Sequence, residues 1–432
     1  MAPPASKNPL PHLRATDLRA VAQLATQATQ GVARMAEGVH QAVWGTLGVG
    51  KMASGQTGGI TALVYQSVRG VTQLVAKGLD SALLKLEPYL GPSIDSNTST
   101  PEREAVLAAL NGVLGDHLAA SGNPLATPMS LRFAGQALDW QAMPAKSQVT
   151  GKVLILVHGL CMNDLQWRTA PAQASAAQHP HSTHHPAAAT EQVVDHGQAL
   201  ADALGYTPVY VRYNTGLHTS DNSHALSEQL DLLNAHWPTP ITEMTVLVHS
   251  MGGLVTRGAV HSAQQSQASW LKHLKNIVFL GTPHHGAPLE KAGNWVDIIL
   301  GSTPYSKPFA KLGQLRSSGI TDLRFGHVLG SDWQGQDRFR RKPDSRTPVP
   351  LPEGVACYTL AATIAAQRSP LAERIVGDGL VPLPSALGQH ADATRSLQFA
   401  KASQRIVYRT NHMQLLSSPE VTQQLVKWLL PA

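Results

Sequence analysis

The run Val246-Leu247-Val248-His249-Ser250-Met251-Gly252-Gly253-Leu254-Val255 constrains this chain more than any other stretch. Its apolar, β-branched start reads as the end of a buried strand, and its Gly-Gly-Leu-Val end reads as the start of a helix. The polar pair between them predicts a sharp strand-to-helix turn with Ser250 at its tip. So tight a turn asks for small residues two positions before and two after the serine. Gly252 meets the second demand. Val248 departs from the first, so the neighbouring strand has to accommodate a β-branched side chain.

The rest of the chain fits a sheet that can hold such a turn. Val153-Leu154-Ile155-Leu156-Val157 is a continuous apolar run, as expected for a strand buried on both faces. Further strands are expected at 208–213, 245–248, 276–280, 356–361 and 405–408. Helices are expected between them, including 225–237 and 254–268, with a closing helix over 419–430. This alternation predicts an α/β fold with a mostly parallel central sheet and helices on both faces. Of the 432 residues, 43% are hydrophobic, enough for a large core, and 14% are charged, which excludes a disordered polyelectrolyte. The net charge of +6 is not gathered into a Lys/Arg block, so no nucleic-acid partner is expected.

Residues 1–98 read as a separate helical region. Leu18, Val21, Ala25, Ala28, Val32, Met35 and Val39 form one apolar stripe. After the Gly-rich break at 45–59, Ile60, Val64, Val68, Val71, Val75 and Leu79 form a second, giving an N-terminal helical hairpin. It either packs on the main domain or on a second copy, or serves as a lid or as a peripheral contact to a lipid surface. No secretory signal, no transmembrane run and two cysteines point to a cytoplasmic chain without a disulfide framework. A helix should open at Pro101 and end at Gly122-Asn123-Pro124, followed by a short hairpin over 130–140. Two insertions interrupt the α/β region, which spans 99–432. Residues 170–196 are His-rich but offer no carboxylate or cysteine at ligand spacing, so a solvated loop and no metal are expected. Residues 286–354 are placed to form a cap or lid.

A serine hydroxyl is a poor nucleophile without a base to take its proton and an acid to orient that base. Both are expected in later loops, in the order Ser, Asp, His. Asp378, between Gly377 and Gly379, follows the strand at 356–361 on what reads as an exposed turn. His412 follows the strand at 405–408 and is chosen by position among 20 histidines. Each also has an ordinary reading as a loop serine, a turn aspartate or a structural histidine. The three in this order at three strand ends make coincidence a poor account. Developing negative charge on a substrate oxygen also needs fixed N–H donors. The backbone N–H groups of Leu160, in His158-Gly159-Leu160, and of Met251 form the expected pair, although His158-Gly159 alone would also suit a plain turn. In Gly281-Thr282-Pro283-His284-His285-Gly286, His284 and His285 either line a pocket, together with His158, or only shape a turn.

The His-Gly-Leu segment at 158, the His-Ser-Met-Gly-Gly turn at 249, the loops at 281 and 377 and the late His412 resemble lipase-like α/β-hydrolases. More narrowly they are similar to bacterial proteins of the GPI inositol-deacylase, PGAP-like, group. The resemblance covers about residues 131–430. It implies hydrolysis of carboxylic esters, often of acyl lipids, with no metal or organic cofactor. In that reading Ser250 attacks, His412 carries the proton and Asp378 orients His412. A thioesterase or depolymerase with the same three residues is the alternative. A non-catalytic, membrane-associated binding protein is another. Acyl length, head group and oligomeric state are not legible.

Overall fold

The computed structural model describes residues 101–169, 194–287, 317–335, 344–366 and 377–430. The expected N-terminal hairpin and its boundary at 98 lie outside the described residues, as do 170–193 of the His-rich insertion and 288–316 and 336–343 of the expected cap. The chain divides into two compact units, residues 1–100 with 118–125 and residues 101–117 with 126–432. In the described part of the first, the backbone turns at Gly122 (φ 63°), and the Asn123 side chain accepts from the Leu125 N–H at 2.9 Å.

The second unit is built on an eight-stranded sheet. Its strands are β1 (Ser130–Phe133), β2 (Gln136–Ala137), β3 (Lys152–Val157), β6 (Thr207–Arg212), β7 (Glu243–His249), β8 (Leu274–Leu280), β9 (Ala356–Thr363) and β10 (Gln404–Tyr408). The order across the sheet is β10-β9-β8-β7-β3-β6-β1-β2. All pairs from β10 to β6 are parallel, and β1 and β2 add antiparallel strands at one edge. Two short strands, β4 (Arg168–Thr169) and β5 (Val194–Asp195), pair on their own.

The apolar run of β3 is divided by the two-residue period of a strand. Val153, Ile155 and Val157 face one core with Val246, Val248, Ile277 and Phe279. Leu154 and Leu156 face another with Leu247, Val278, Leu280 and Leu360. The described helices in sequence order are α1 (Pro101–Ala120), α2 (His196–Leu204), α3 (Thr219–His236), α4 (Gly252–Ser266), α5 (Ser318–Asp322), α6 (Leu383–Ala386) and α7 (Pro419–Leu429). Leu226, Leu230 and Leu233 of α3 and Leu254, Val255 and Ala259 of α4 cover the first face. Leu200 of α2 and Val421, Leu425 and Leu429 of α7 cover the second. The α/β expectation therefore holds, with a mostly parallel sheet and helices on both faces.

Three local expectations need correction. The helix expected from Ala225 begins at Thr219. Its first turns are polar, but Ser220, Asn222 and Ser223 are buried and bonded: Asn222 donates to the Asn214 carbonyl (2.9 Å) and Ser223 to the Val255 carbonyl (2.9 Å). The Thr219 N–H is capped by Asp322 from far along the chain (2.8 Å), a partner no local pattern reveals. His196, expected in a solvated loop, opens α2 and is fully buried. Its Nε2–H donates to the Leu415 carbonyl (2.9 Å) and its Nδ1 meets the Thr422 hydroxyl (2.9 Å), which ties α2 to the C-terminal segment. The strand expected to continue to Trp140 ends at Ala137. In the described part of the expected cap, Asp332 accepts from the N–H groups of Val328 (3.1 Å), Leu329 (3.0 Å) and Thr347 (2.9 Å), joining the two described arms.

Candidate active site

From β3 the chain passes to β6 on one side, and from β7 it passes to β8 on the other. The loops after β3 and β7 therefore part at the carboxyl ends of neighbouring strands, the crevice in which open α/β sheets bind ligands. His158-Gly159-Leu160 and Ser250 both lie there.

Ser250 adopts φ 55°, a left-handed conformation that a residue with a Cβ adopts only where its surroundings enforce it. Its N–H donates to the Leu280 carbonyl of β8 (2.9 Å), and its own carbonyl accepts from the Gly253 N–H (3.0 Å), the first turn of α4. The demand for glycine after the serine is explicit. A Cβ at Gly252 would lie 2.7 Å from the carbonyl oxygens of both Val157 and His158. Val248 is accommodated by packing into the core. It is fully buried in the core with Val157, Met251, Leu254 and Phe279. The Ser250 hydroxyl is buried and has no hydrogen-bond partner among the described residues.

His412 Nδ1 lies 2.6 Å from Asp378 Oδ2, so the Nδ1–H donates to the carboxylate. The His412 N–H also donates to the Asp378 carbonyl (3.1 Å). The other carboxylate oxygen accepts from the N–H groups of Leu380 (2.9 Å) and Val381 (2.7 Å). Asp378 is thus not on an exposed turn. It is 2% exposed, and its charge is held by two backbone donors and one imidazole. Gly377 (φ 47°) and Gly379 (φ 93°) permit the loop that wraps it, so the flanking glycines enclose the carboxylate rather than present it to solvent.

The N–H groups of Leu160 and Met251 donate to no other described residue, and Met251 caps the N-terminus of α4. A Cβ on Gly159 would fall 2.8 Å from the Ser250 Cβ, so the loop after β3 passes directly over the serine. That loop is held by Tyr213, which sequence reasoning missed. The Tyr213 hydroxyl donates to the His158 carbonyl (2.8 Å), and its ring stacks on the His158 ring at 4.4 Å. Burial lowers His158 to a pKa of about 4, so its ring is neutral, with its Nδ1–H donated to the Gly159 carbonyl (2.9 Å).

Residues 148–333 match the model of the family described as PGAP1-like alpha/beta domain. The PGAP1-like span takes in β3, β7 and β8, and so Leu160, Ser250 and Met251, and it ends before Asp378 and His412. No curated protein matches the chain. Among solved structures it is similar to the mature Bacillus licheniformis lipase BlEst2, at 16% identity over 71% of this chain and 100% of that one, with a TM-score of 0.38. It is also similar to Aspergillus fumigatus lipase B, at 12% identity over 69% of this chain and 55% of that one, with a TM-score of 0.38. A third is the Pyrococcus furiosus esterase Pf2001, at 13% identity over 65% of this chain and 83% of that one, with a TM-score of 0.35.

The other two histidines expected at the pocket, His284 and His285, differ from each other. His284 is fully buried, with its ring 4.8 Å from that of Phe279 and 5.5 Å from that of Phe399, and burial holds it well below the ordinary histidine range. His285 is half-buried. Its Nδ1 accepts from Arg346 (2.7 Å), and burial lowers it to about 4. Arg346 also donates to the His284 carbonyl (3.0 Å), so the two histidines anchor the returning arm of the 286–354 insertion. Among the described residues, no cluster of metal-ligating side chains occurs and no helix is long and apolar enough to cross a membrane.

Proposed function

We propose that the protein is a serine hydrolase that cleaves carboxylic esters through an acyl-enzyme on Ser250. The observation that carries this reading is the buried hydrogen bond from His412 to Asp378, in the same sheet-edge loops as a strained serine with an unengaged hydroxyl.

With Nδ1–H donated to Asp378, the Nε2 lone pair of His412 is the one that acts as base in the proposed reaction. In the proposed step Nε2 takes the Ser250 proton as Oγ attacks the ester carbonyl. The carbonyl π electrons move to oxygen, and the N–H groups of Leu160 and Met251 receive that charge. Collapse breaks the bond to the leaving alcohol, which takes the proton from His412. Water, deprotonated by the same nitrogen, then releases the carboxylate and restores Ser250. Each proton gained by His412 is returned, so no cofactor enters the balance.

Acyl lipids are the proposed substrates, on the resemblance to the PGAP-like group and the matching PGAP1-like span. The test is a panel of acyl esters and thioesters of graded chain length, with wild type and Ser250→Ala in parallel. Ester cleavage should rise with chain length and fall at least about 10³-fold in the variant. A preference for thioesters would reassign the substrate, and full activity of Ser250→Ala would remove the mechanism.

A further inference from the structure

His412 follows β10, three strands from β7 in the sheet, a span of about 14 Å at ordinary strand spacing. Its loop must therefore cross the ends of β9 and β8 to reach Ser250. At the end of β8 it passes over Gly281, where a Cβ would lie 3.2 Å from His412 Nδ1 and Cε1. Asp378, from the segment after β9, holds His412 from one direction. From the other direction comes His249, the last residue of β7 and the neighbour of the serine. His249 is fully buried, and its Nε2 lies 3.0 Å from the His412 carbonyl oxygen. A carbonyl only accepts, so the proton sits on Nε2, and Nδ1 has no partner among the described residues. The two rings lie 4.6 Å apart at 45°.

We infer that His249 is a positioning residue: its Nε2–H fixes the main chain of His412 against the strand that carries Ser250. This rests on the serine hydrolase reading above. The residues on either side of the serine then divide the work, with Met251 donating to the oxyanion and His249 locating the base. Burial, and after it the nearness of His412, keep the His249 ring well below the ordinary histidine range, so it donates as a neutral group and does not compete for the proton in transit. Sub-ångström placement of the base is where such a bond acts, because a shift of about 1 Å costs on the order of 10² in rate.

Three substitutions test this. Glutamine carries an amide nitrogen close to the place of Nε2. Asparagine is one methylene too short, and phenylalanine keeps the ring without the donor. His249→Phe and His249→Asn should lower kcat by about 10²-fold with KM changed less than about threefold, while His249→Gln regains most of the loss. The rate of covalent labelling of Ser250 by a fluorophosphonate should follow the same order. If His249→Phe does not fold, the contrast between Gln and Asn decides. Equal kcat for Gln and Asn, or wild-type kcat in all three with Ser250→Ala inactive, would overturn the inference. Activity retained in Ser250→Ala would instead sink the hydrolase reading itself.

Discussion

His412 and Asp378 are tied twice, by Nδ1–H to Oδ2 at 2.6 Å and by the His412 N–H to the Asp378 carbonyl at 3.1 Å. The double tie fixes both the ring plane and the backbone of His412, the proposed base. Only the first bond depends on the carboxylate. Asp378→Asn keeps the shape but presents an amide where an anion stood, which disfavours the Nδ1–H tautomer and the imidazolium. We expect kcat to fall about 10³- to 10⁴-fold with little change in KM, measured on the best ester of the panel. A fall of less than about tenfold would mean that Asp378 does not orient the base.

Gly252 is the second test of the turn. A methyl group there would meet two backbone oxygens at 2.7 Å, one of them on Val157, the last residue of β3. Gly252→Ala should destabilise by roughly 1 to 3 kcal/mol, read from chemical denaturation. An unchanged midpoint would show that the turn is looser than described.

Acid should destabilise the fold through its buried neutral histidines. Burial holds His158 at a pKa of about 4 in the native state, against 6.5 for an ordinary histidine. Between these values the unfolded chain binds a proton that the native ring refuses. The stability is therefore present above pH 6.5 and is lost as pH falls towards 4. For His158 alone the full span amounts to roughly 3 kcal/mol. A series of melting temperatures from pH 7.5 to 4.5 should fall less steeply in His158→Gln than in wild type. Parallel slopes would contradict the assignment.

Asp332 binds the two described arms of the 286–354 insertion by accepting three N–H groups. Asp332→Ala leaves all three without that acceptor and should cost on the order of 3 kcal/mol. Asp332→Asn, which keeps one oxygen, should cost less. Equal loss in the two variants would mean that the carboxylate oxygens do not share the task.

Much of this architecture was legible because the parallel strands are buried on both faces and announce themselves as apolar runs, as in β3. The turn at Ser250 was legible because a serine between a strand and paired glycines has few other uses. What escaped depends on partners distant in sequence. The polar start of α3 reads as loop until Asp322 and Val255 supply its bonds. The burial of Asp378 follows from a loop that folds its own N–H groups inward, and composition alone reads that loop as exposed. His196 and His249 hide in a chain with 20 histidines, and only their carbonyl acceptors, Leu415 and His412, distinguish them. Val248 broke the expected pattern because the core beside it had room for a branched side chain.

The most direct measurement is mass spectrometry of the folded protein after reaction with a fluorophosphonate. One adduct is expected, on the peptide that contains Ser250, absent in Ser250→Ala and slowed in Asp378→Asn. An adduct on another serine, or none on folded wild-type protein, would contradict the proposed mechanism.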